Sequence, residues 1–300
     1  MNKATKIWLI VAISLIFFGI ITFADAMFML KWDFKGLSTN RFETNEYKIN
    51  EEFRSVSIYS DTADIKLVLS ENSECSVVCR DRTNEKHLVT VKDGALVIEL
   101  VDTRKWYEHI GIFFETPEIT VYLPQGEYGA LLISSDTGDV EILRGFKFES
   151  IDVSESTGDV TCLASVSDFI KIKTDTGDIR IENASADTVD LSVSTGDISV
   201  TDLACKNLFS MGDTGDITLD RVIAEEKFSV ERSTGDVKLQ GCDAAEIFIV
   251  TDTGDVTGTL LSSKVFITKS DTGRIDVPNS ITGGRCEIVT DTGDIEIFVK

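Results

Sequence analysis

The sequence predicts an all-β protein, a parallel β-solenoid of about nine rungs of 19–20 residues that follows an N-terminal transmembrane helix. The first observation is a turn that recurs nine times and reads Asp136-Thr137-Gly138-Asp139-Val140 in its first copy. Its glycines are Gly138, Gly158, Gly177, Gly196, Gly215, Gly235, Gly254, Gly273 and Gly293. So short and strict a period is typical of a solenoid, in which one repeat alone cannot bury its apolar face.

The second observation is the alternation of apolar and polar residues on both sides of each glycine. The residues seven and five before it and two and four after it are mostly aliphatic, as Ile170, Ile172, Ile179 and Ile181 are around Gly177. Period two indicates β-strands, and β-branched residues suit a pleated, half-buried surface. Rungs stacked in register would form aliphatic columns in a rod on the order of 43 Å long.

An acidic residue follows the glycine in every copy of the turn except one, where Arg274 replaces it. A stack of carboxylates could order a calcium-binding roll. However, Asp and Ser alternate two residues before the first six glycines, and we expect Arg274 to lie between Asp255 and Asp294 and relieve repulsion there. Asp and Thr also satisfy turn backbone, and Gly allows positive φ. We interpret the turns as structural and predict no metal site; calcium binding is the alternative.

The N-terminus predicts a membrane anchor. Residues 7–24 carry no charge and are long enough to span a bilayer as a helix, and Trp8 and Trp32 flank them. Lys3 and Lys6 precede this run, so the positive-inside rule predicts a cytoplasmic N-terminus and an extracytoplasmic repeat domain in a single-pass cell-membrane protein. Ala24-Asp25-Ala26 resembles a signal-peptidase site, so cleavage after Ala26 is the alternative.

Four regions follow from these patterns. They are 1–30 (cytoplasmic tip and anchor), 31–55 (stalk or entry segment), 56–125 (irregular first rung and capping β region) and 126–300 (solenoid). In the third region, Ala63 replaces the turn glycine of an atypical first rung. Residues 89–98 read as a hairpin around Asp93-Gly94, and residues 119–123 read as a strand.

An aromatic segment lies between that hairpin and that strand, from residue 104 to residue 117. It is interpreted mainly as a plug over the N-terminal end of the solenoid. A binding loop is the alternative, because functional residues concentrate in long loops. The candidate interaction residues are Trp106, Tyr107, Phe113 and Phe114.

Composition and residue types favour a protein without catalysis. A net charge of −22 argues against nucleic acid, whose phosphates need a basic face. The two histidines, His87 and His109, precede the regular array, and no Ser/His/Asp or Cys/His set can be argued from spacing. The six cysteines are expected to be mostly free thiols, since Cys162 and Cys286 occupy core columns. We predict no enzyme, no catalytic residues and no cofactor.

The chain resembles a bacterial family of putative adhesins of unknown function with a toastrack-like repeat domain. The anchor, Lys31-Trp32-Asp33-Phe34, Arg104-Lys105-Trp106-Tyr107 and the serial Thr-Gly-Asp rungs carry the resemblance. It implies a membrane-anchored surface β-solenoid, and related domains occur in envelope-stress signalling.

Taken together, these observations predict a surface interaction (adhesin-like) or envelope-stress-sensing module. The alternatives are a calcium-ordered repeat domain and a polysaccharide-active enzyme, whose catalytic carboxylates would have to be a singular pair. The expected partners are the bilayer, through residues 7–24, and a protein or envelope polymer. The chain stops after a regular rung at residues 286–300, so we expect that rung to be an open edge that frays or pairs end to end.

Overall fold

The computed structural model describes residues 3–29, 31–32, 42–103 and 115–300. Helix α1, Lys3–Met29, contains an apolar stretch, Thr5–Met29. Apart from Met27, which is buried, its apolar side chains are exposed on all sides, as in a helix whose surroundings are apolar. The predicted apolar helix is confirmed, and by length and composition it could cross a membrane.

Within the described residues, twenty-one strands form one sheet. They are β1 (Phe42–Ile49), β2 (Ser55–Thr62), β3 (Asp64–Leu69), β4 (Cys75–Arg82), β5 (Glu85–Lys92), β6 (Ala95–Asp102), β7 (Glu118–Leu123), β8 (Glu127–Thr137), β9 (Val140–Ile142), β10 (Lys147–Thr157), β11 (Val160–Cys162), β12 (Ser165–Thr176), β13 (Ile179–Thr195), β14 (Ile198–Thr214), β15 (Ile217–Thr234), β16 (Val237–Thr253), β17 (Val256–Leu260), β18 (Lys264–Thr272), β19 (Ile275–Asp276), β20 (Gly284–Thr292) and β21 (Ile295–Val299).

The rungs stack as a parallel coil, which confirms the predicted β-solenoid. One core column runs through Ile133, Val153, Ile172 and Leu191, which are partners in successive parallel pairs. All four are fully buried. Each alternate side chain of a strand therefore meets its counterpart on the next rung, and the core is a set of aliphatic stacks.

The turn glycines are needed because neighbouring rungs touch there. Gly196 has φ +149°, and a Cβ at this position would lie 2.1 Å from the carbonyl oxygen of Gly177. No side chain fits at that distance, so the column of glycines marks a close approach between the backbones of neighbouring rungs.

The atypical rung around Ala63 is present but is not the end of the coil. Strands β2 and β3 pair with β8 and β9 on one side and with β6 and β7 on the other, all in parallel. The predicted hairpin is confirmed: β5 and β6 are antiparallel, and Asp93 and Gly94 both have positive φ, as a type I′ turn requires. Strand β4 runs antiparallel to β7, and β1 runs antiparallel to β4. Antiparallel strands thus close this end of the rod.

At the other end the order of the rungs differs from the order of the chain. Strands β20 and β21 lie between β16/β17 and β18/β19, so Ile288 pairs with Ile249 on one side and Thr268 on the other. The prediction that the last rung in sequence is an open edge is wrong, because Ile295 and Ile297 are buried. An aliphatic side chain gains the most hydrophobic stabilisation when a rung covers it on each side, as in the rung of β20 and β21. Strand β18 carries Thr268 in a core column, and it therefore suits the terminal position.

Candidate functional site

The aromatic segment predicted from sequence cannot be placed. Trp106, Tyr107, Phe113 and Phe114 lie outside the described residues, and their roles stay predictions.

The turn aspartates form a hydrogen-bonded ladder along the rod. The Oδ1 atom of each accepts the backbone N–H of the residue after the turn glycine on the next rung, at 2.7–3.1 Å. The ladder starts at Asp64 and ends where the N–H of Arg274 donates to Asp294. Arg274 therefore follows Asp294 and does not lie between Asp255 and Asp294. Arg274 is the last member of the ladder and only donates a hydrogen bond, so this position needs no carboxylate.

This ladder assigns the aspartates a structural role. One oxygen of each carboxylate serves a backbone amide that the parallel coil would otherwise leave unpaired. Within the described part of the chain, no group of three or more His, Cys, Asp and Glu residues is arranged to hold a metal ion. The ladder explains the repeated aspartate without an ion.

Removing one carboxylate from the middle of the ladder should weaken the coil. Asp197→Ala leaves the Asp216 N–H without its acceptor at 2.7 Å, and the expected loss is about 1 kcal/mol because water can replace part of the bond. Asp252→Ala removes an exposed carboxylate from another turn and should change stability by less than about 0.5 kcal/mol. Urea unfolding of the full chain in detergent micelles compares the two variants. Equal losses would contradict the ladder.

A second column, three residues before each turn glycine or Ala63, faces the core but is polar on most rungs; the exceptions are Val193 and Gly212. Its buried polar members are Ser60, Ser135, Glu155, Thr174, Arg232, Thr251 and Thr290. Thr174 and Thr290 donate to the carbonyl oxygens of Gly158 and Gly254 at 3.3 and 3.2 Å. These hydroxyls satisfy the turn carbonyls, and the aspartates satisfy the turn amides. Sequence reasoning missed this column, although its parity matches that of the aliphatic columns.

Two charged residues occupy the polar column. Arg232 extends over Gly212, where it donates to the carbonyl oxygens of Val193 at 3.2 Å and Gly196 at 3.1 Å. Glu155 has no hydrogen-bond partner in good geometry for either carboxylate oxygen. Burial raises the pKa of Glu155 to about 7, although the nearby Thr157 backbone and Ser135 hydroxyl lower the pKa in part. This carboxyl group is therefore poised to change its charge near neutrality.

At the capped end of the rod, the polar column meets a Ser–His–Asp cluster that sequence spacing did not reveal. Ser60 Oγ lies 3.0 Å from His87 Nε2, and His87 Nδ1 lies 2.6 Å from Asp81 Oδ1. The serine contacts the histidine and the histidine contacts the aspartate, as in the triad of a serine hydrolase. However, Ser60 is 7% exposed and faces the core, and His87 is 1% exposed, whereas a hydrolase presents its nucleophile to substrate. We interpret the cluster as a buried polar network that joins β2 to the cap.

A cleft of about 430 Å³ lies beside the returns of the first rungs, lined in part by Arg54, Tyr128 and Phe148. Its opposite charges pair with each other, as in Arg54–Glu149 at 3.0 Å. The ring centroids of Tyr128 and Phe148 are 5.6 Å apart, so these aromatic groups are engaged in packing. The cleft is therefore a weaker candidate for ligand binding than the outer face of the rod.

An outward aromatic and aliphatic patch interrupts the polar surface of the rod. We define the aromatic face as Phe209 and Met211 on β14 with Phe248 and Val250 on β16; the intervening strand β15 holds Ser229 and Glu231 at the matching outward positions. Met211 and Val250 are 47% and 42% exposed. The Lys227 Nζ atom lies 5.6 and 5.1 Å from the ring centroids of Phe209 and Phe248.

The same outward positions are polar on the three preceding rungs. They hold Asp152, Ser154, Lys171, Lys173, Asp190 and Ser192 on strands β10, β12 and β13. Aromatic residues and Met with neighbouring cations are typical of the centre of protein interfaces, and exposed apolar patches mark interaction sites. The aromatic face is thus the strongest candidate interaction surface among the described residues. The change of residue type at fixed outward positions could have revealed it from the sequence.

Comparison with known proteins identifies a family model and solved structures that resemble this chain. The family model described as Toastrack DUF4097 matches residues 53–208 and 185–300. A putative adhesin from Bacteroides fragilis NCTC 9343 is 17% identical, with a TM-score of 0.51 over 86% of this chain and 97% of that chain. A putative lipid binding protein from Parabacteroides distasonis ATCC 8503 is 14% identical, with a TM-score of 0.53 over 87% and 98%.

These two likenesses show the fold alone, because both identities are low. No curated protein matches the chain. The family model, in contrast, spans most of the sequence, from residue 53 to residue 300. The chain belongs to the Toastrack DUF4097 family.

Proposed function

We propose that this protein is a non-catalytic interaction module, anchored in the cell membrane by α1 and displaying its solenoid outside the cell. The observation that carries the proposal is the aromatic face, which places aromatic and aliphatic side chains at outward positions of an acidic rod. The exposed apolar helix at the N-terminus supports anchoring, and the adhesin names of similar structures support a surface role. The partner would be a protein or an envelope polymer with an apolar surface.

The aromatic face is tested on the full chain displayed on cells. Retention on immobilised bacterial envelope material, separated into protein and polymer fractions, should fall at least about tenfold for a Phe248→Ser/Val250→Ser double variant, since such anchors dominate interfaces. The matched control is Asp152→Ser/Lys171→Ser, which alters the polar outward positions and should retain binding. Equal retention by both variants would show that the partner binds elsewhere.

Topology is tested separately. Lys3 and Lys6 predict a cytoplasmic N-terminus, so protease added to intact protoplasts should degrade the solenoid and leave α1 and its N-terminal tip. A cytoplasmic protein in the same sample should survive until the protoplasts are permeabilised. Protection of the solenoid in intact protoplasts would reverse the orientation.

Envelope sensing is the second candidate, and Glu155 is the observation that favours it. A buried carboxyl with a pKa of about 7 would alter the stability of the coil as the pH outside the cell changes. Urea unfolding of the wild type and of Glu155→Gln at pH values from 4 to 8 tests this directly.

A further inference from the structure

The two ends of the rod differ in the strands that form their edges. At the N-terminal end, β5 and β4 run antiparallel to β6 and β7, and β1 in turn covers β4, so the outermost strands of the described residues there are the antiparallel strands β1 and β5. At the other end, β18 pairs with β20 and β19 pairs with β21, and within the described residues neither has a partner on its second edge. An unpaired row of backbone N–H and C=O groups is a template for another strand.

The core is also open at this end. Phe266 and Thr268 on β18 are partly exposed, whereas their counterparts on β20, Cys286 and Ile288, are fully buried. Ile275 on β19 is 42% exposed, whereas Ile295, its partner on β21, is fully buried. We call the unpaired edges of β18 and β19, with these side chains, the open tip.

Apolar side chains beside the edge extend this surface. Val265 and Ile267 point outward from β18 and are 37% and 48% exposed, and Ile281, in the connection from β19 to β20, is 90% exposed. Sheet edges are usually protected by charges, proline or a covering loop. Here the only charged outward residues on the unpaired length of β18 are Lys269 and Asp271, which form an ion pair at 2.8 Å.

We propose that the open tip binds the open tip of a second copy of this chain, by antiparallel pairing of the two β18 strands about a two-fold axis. A head-to-tail arrangement is less favourable, because it would bring β18 against the outer edges of β1 and β5, which are guarded by exposed charges, Glu43, Glu46, Lys86 and Lys92. A two-fold contact uses the same surface on both copies, so it closes as a dimer and does not grow into a fibre.

The charges of β18 are complementary to themselves in such a dimer. In a register centred on Ser270, Lys269 of each copy faces Asp271 of the other, and the two ion pairs replace the one within each strand. Opposite charges directly across an antiparallel pair are stabilising, and like charges are destabilising. The two copies would also cover each other's partly exposed Phe266 and Ile275.

The position of the tip bears on adhesion. The chain enters the rod at the capped end, through β1 and its pairing with β4, so the open tip lies at the end away from the entry of the anchor. If the solenoid is displayed as proposed above, tips from two facing membranes could pair. The dimer itself does not depend on that orientation and is measured without a membrane potential or a second cell.

A charge-exchange experiment on the full chain in detergent micelles tests the dimer. Sedimentation equilibrium should show wild-type dimers, and Lys269→Glu and Asp271→Lys should each weaken association about tenfold, since both cross-strand pairs become like-charged. An equimolar mixture of the two variants restores both opposite-charge pairs and should dimerise like the wild type. Wild-type monomers at all concentrations, or a mixture no tighter than either variant alone, would overturn the proposal.

A second pair of variants separates edge pairing from a general effect of charge. Ile267→Lys places a charge beside the open edge and should abolish the dimer, whereas Ile223→Lys, at a similarly exposed site on β15, should not. Circular dichroism establishes that both variants are folded, since both sites are exposed. Equal association of the two variants would place the contact away from the tip.

Discussion

Ile172→Asp is expected to unfold the central rungs of the coil, with a loss of about 4 kcal/mol or more. Ile172 is fully buried between Val153 and Leu191, which are also fully buried. A carboxylate there has neither water nor a hydrogen-bond donor on its column. The charge must be buried unpaired or the adjoining rungs must open.

The matched control is the next residue along the same strand. Lys173 is exposed and makes only a long ion pair with Asp175 at 3.7 Å, so Lys173→Asp should cost about 0.5 kcal/mol or less. Thermal unfolding followed by circular dichroism, with limited trypsin digestion to locate the open rungs, compares the two variants. If both melt alike, the inward and outward faces of β12 have been exchanged.

Glu155→Gln is expected to stabilise the protein at pH 8 and to have little effect at pH 4. The pKa of Glu155 is raised from 4.5 to about 7, because burial disfavours the charged form and Asp136 and Asp139 add repulsion. The folded state therefore binds more protons than the unfolded state between these two values. Stability falls as the pH rises through this window and levels off above about pH 7.

The column around Glu155 gives the physical reason for the direction. Three hydroxyls of this column donate to turn carbonyls: Thr174 to Gly158, Ser270 to Gly293 and Thr290 to Gly254. A protonated carboxyl group can donate in the same way, a carboxylate cannot, and the amide of Gln can at every pH. The expected gain at pH 8 is about 2 kcal/mol, which allows for partial relaxation of the ionised form.

Urea unfolding at pH values from 4 to 8 tests this expectation on the full chain. Glu231→Gln on the exposed surface of β15 is the control for loss of a negative charge, and it should leave the pH dependence unchanged. A wild-type stability that rises from pH 5 to pH 8 would contradict the raised pKa. So would a Glu155→Gln variant that keeps the wild-type pH profile.

Most of the architecture follows from local pattern. The recurring glycine, the alternation around Ile172 and the Asp93-Gly94 turn identify the coil, its core columns and the hairpin of the cap, because strand period and turn chemistry act within one rung. The apolar run of α1 is equally local. The polar column of Glu155 and Thr174 has the parity of the aliphatic columns, but a polar residue in an alternating strand predicts an outward position.

The order of the rungs could not be predicted, because every rung offers the same parallel edges and a 19-residue period does not say which rungs are neighbours. Only the tertiary structure places β20 and β21 inside β18 and β19, and β6 and β7 outside β2 and β3. That order decides that Arg274 ends the aspartate ladder and that the open tip belongs to β18. It also decides that Ser60, Asp81 and His87, from three different strands, meet at the capped end. Contacts between distant segments depend on which edges pair and which side chains are left uncovered, and the repeat alone does not contain that information.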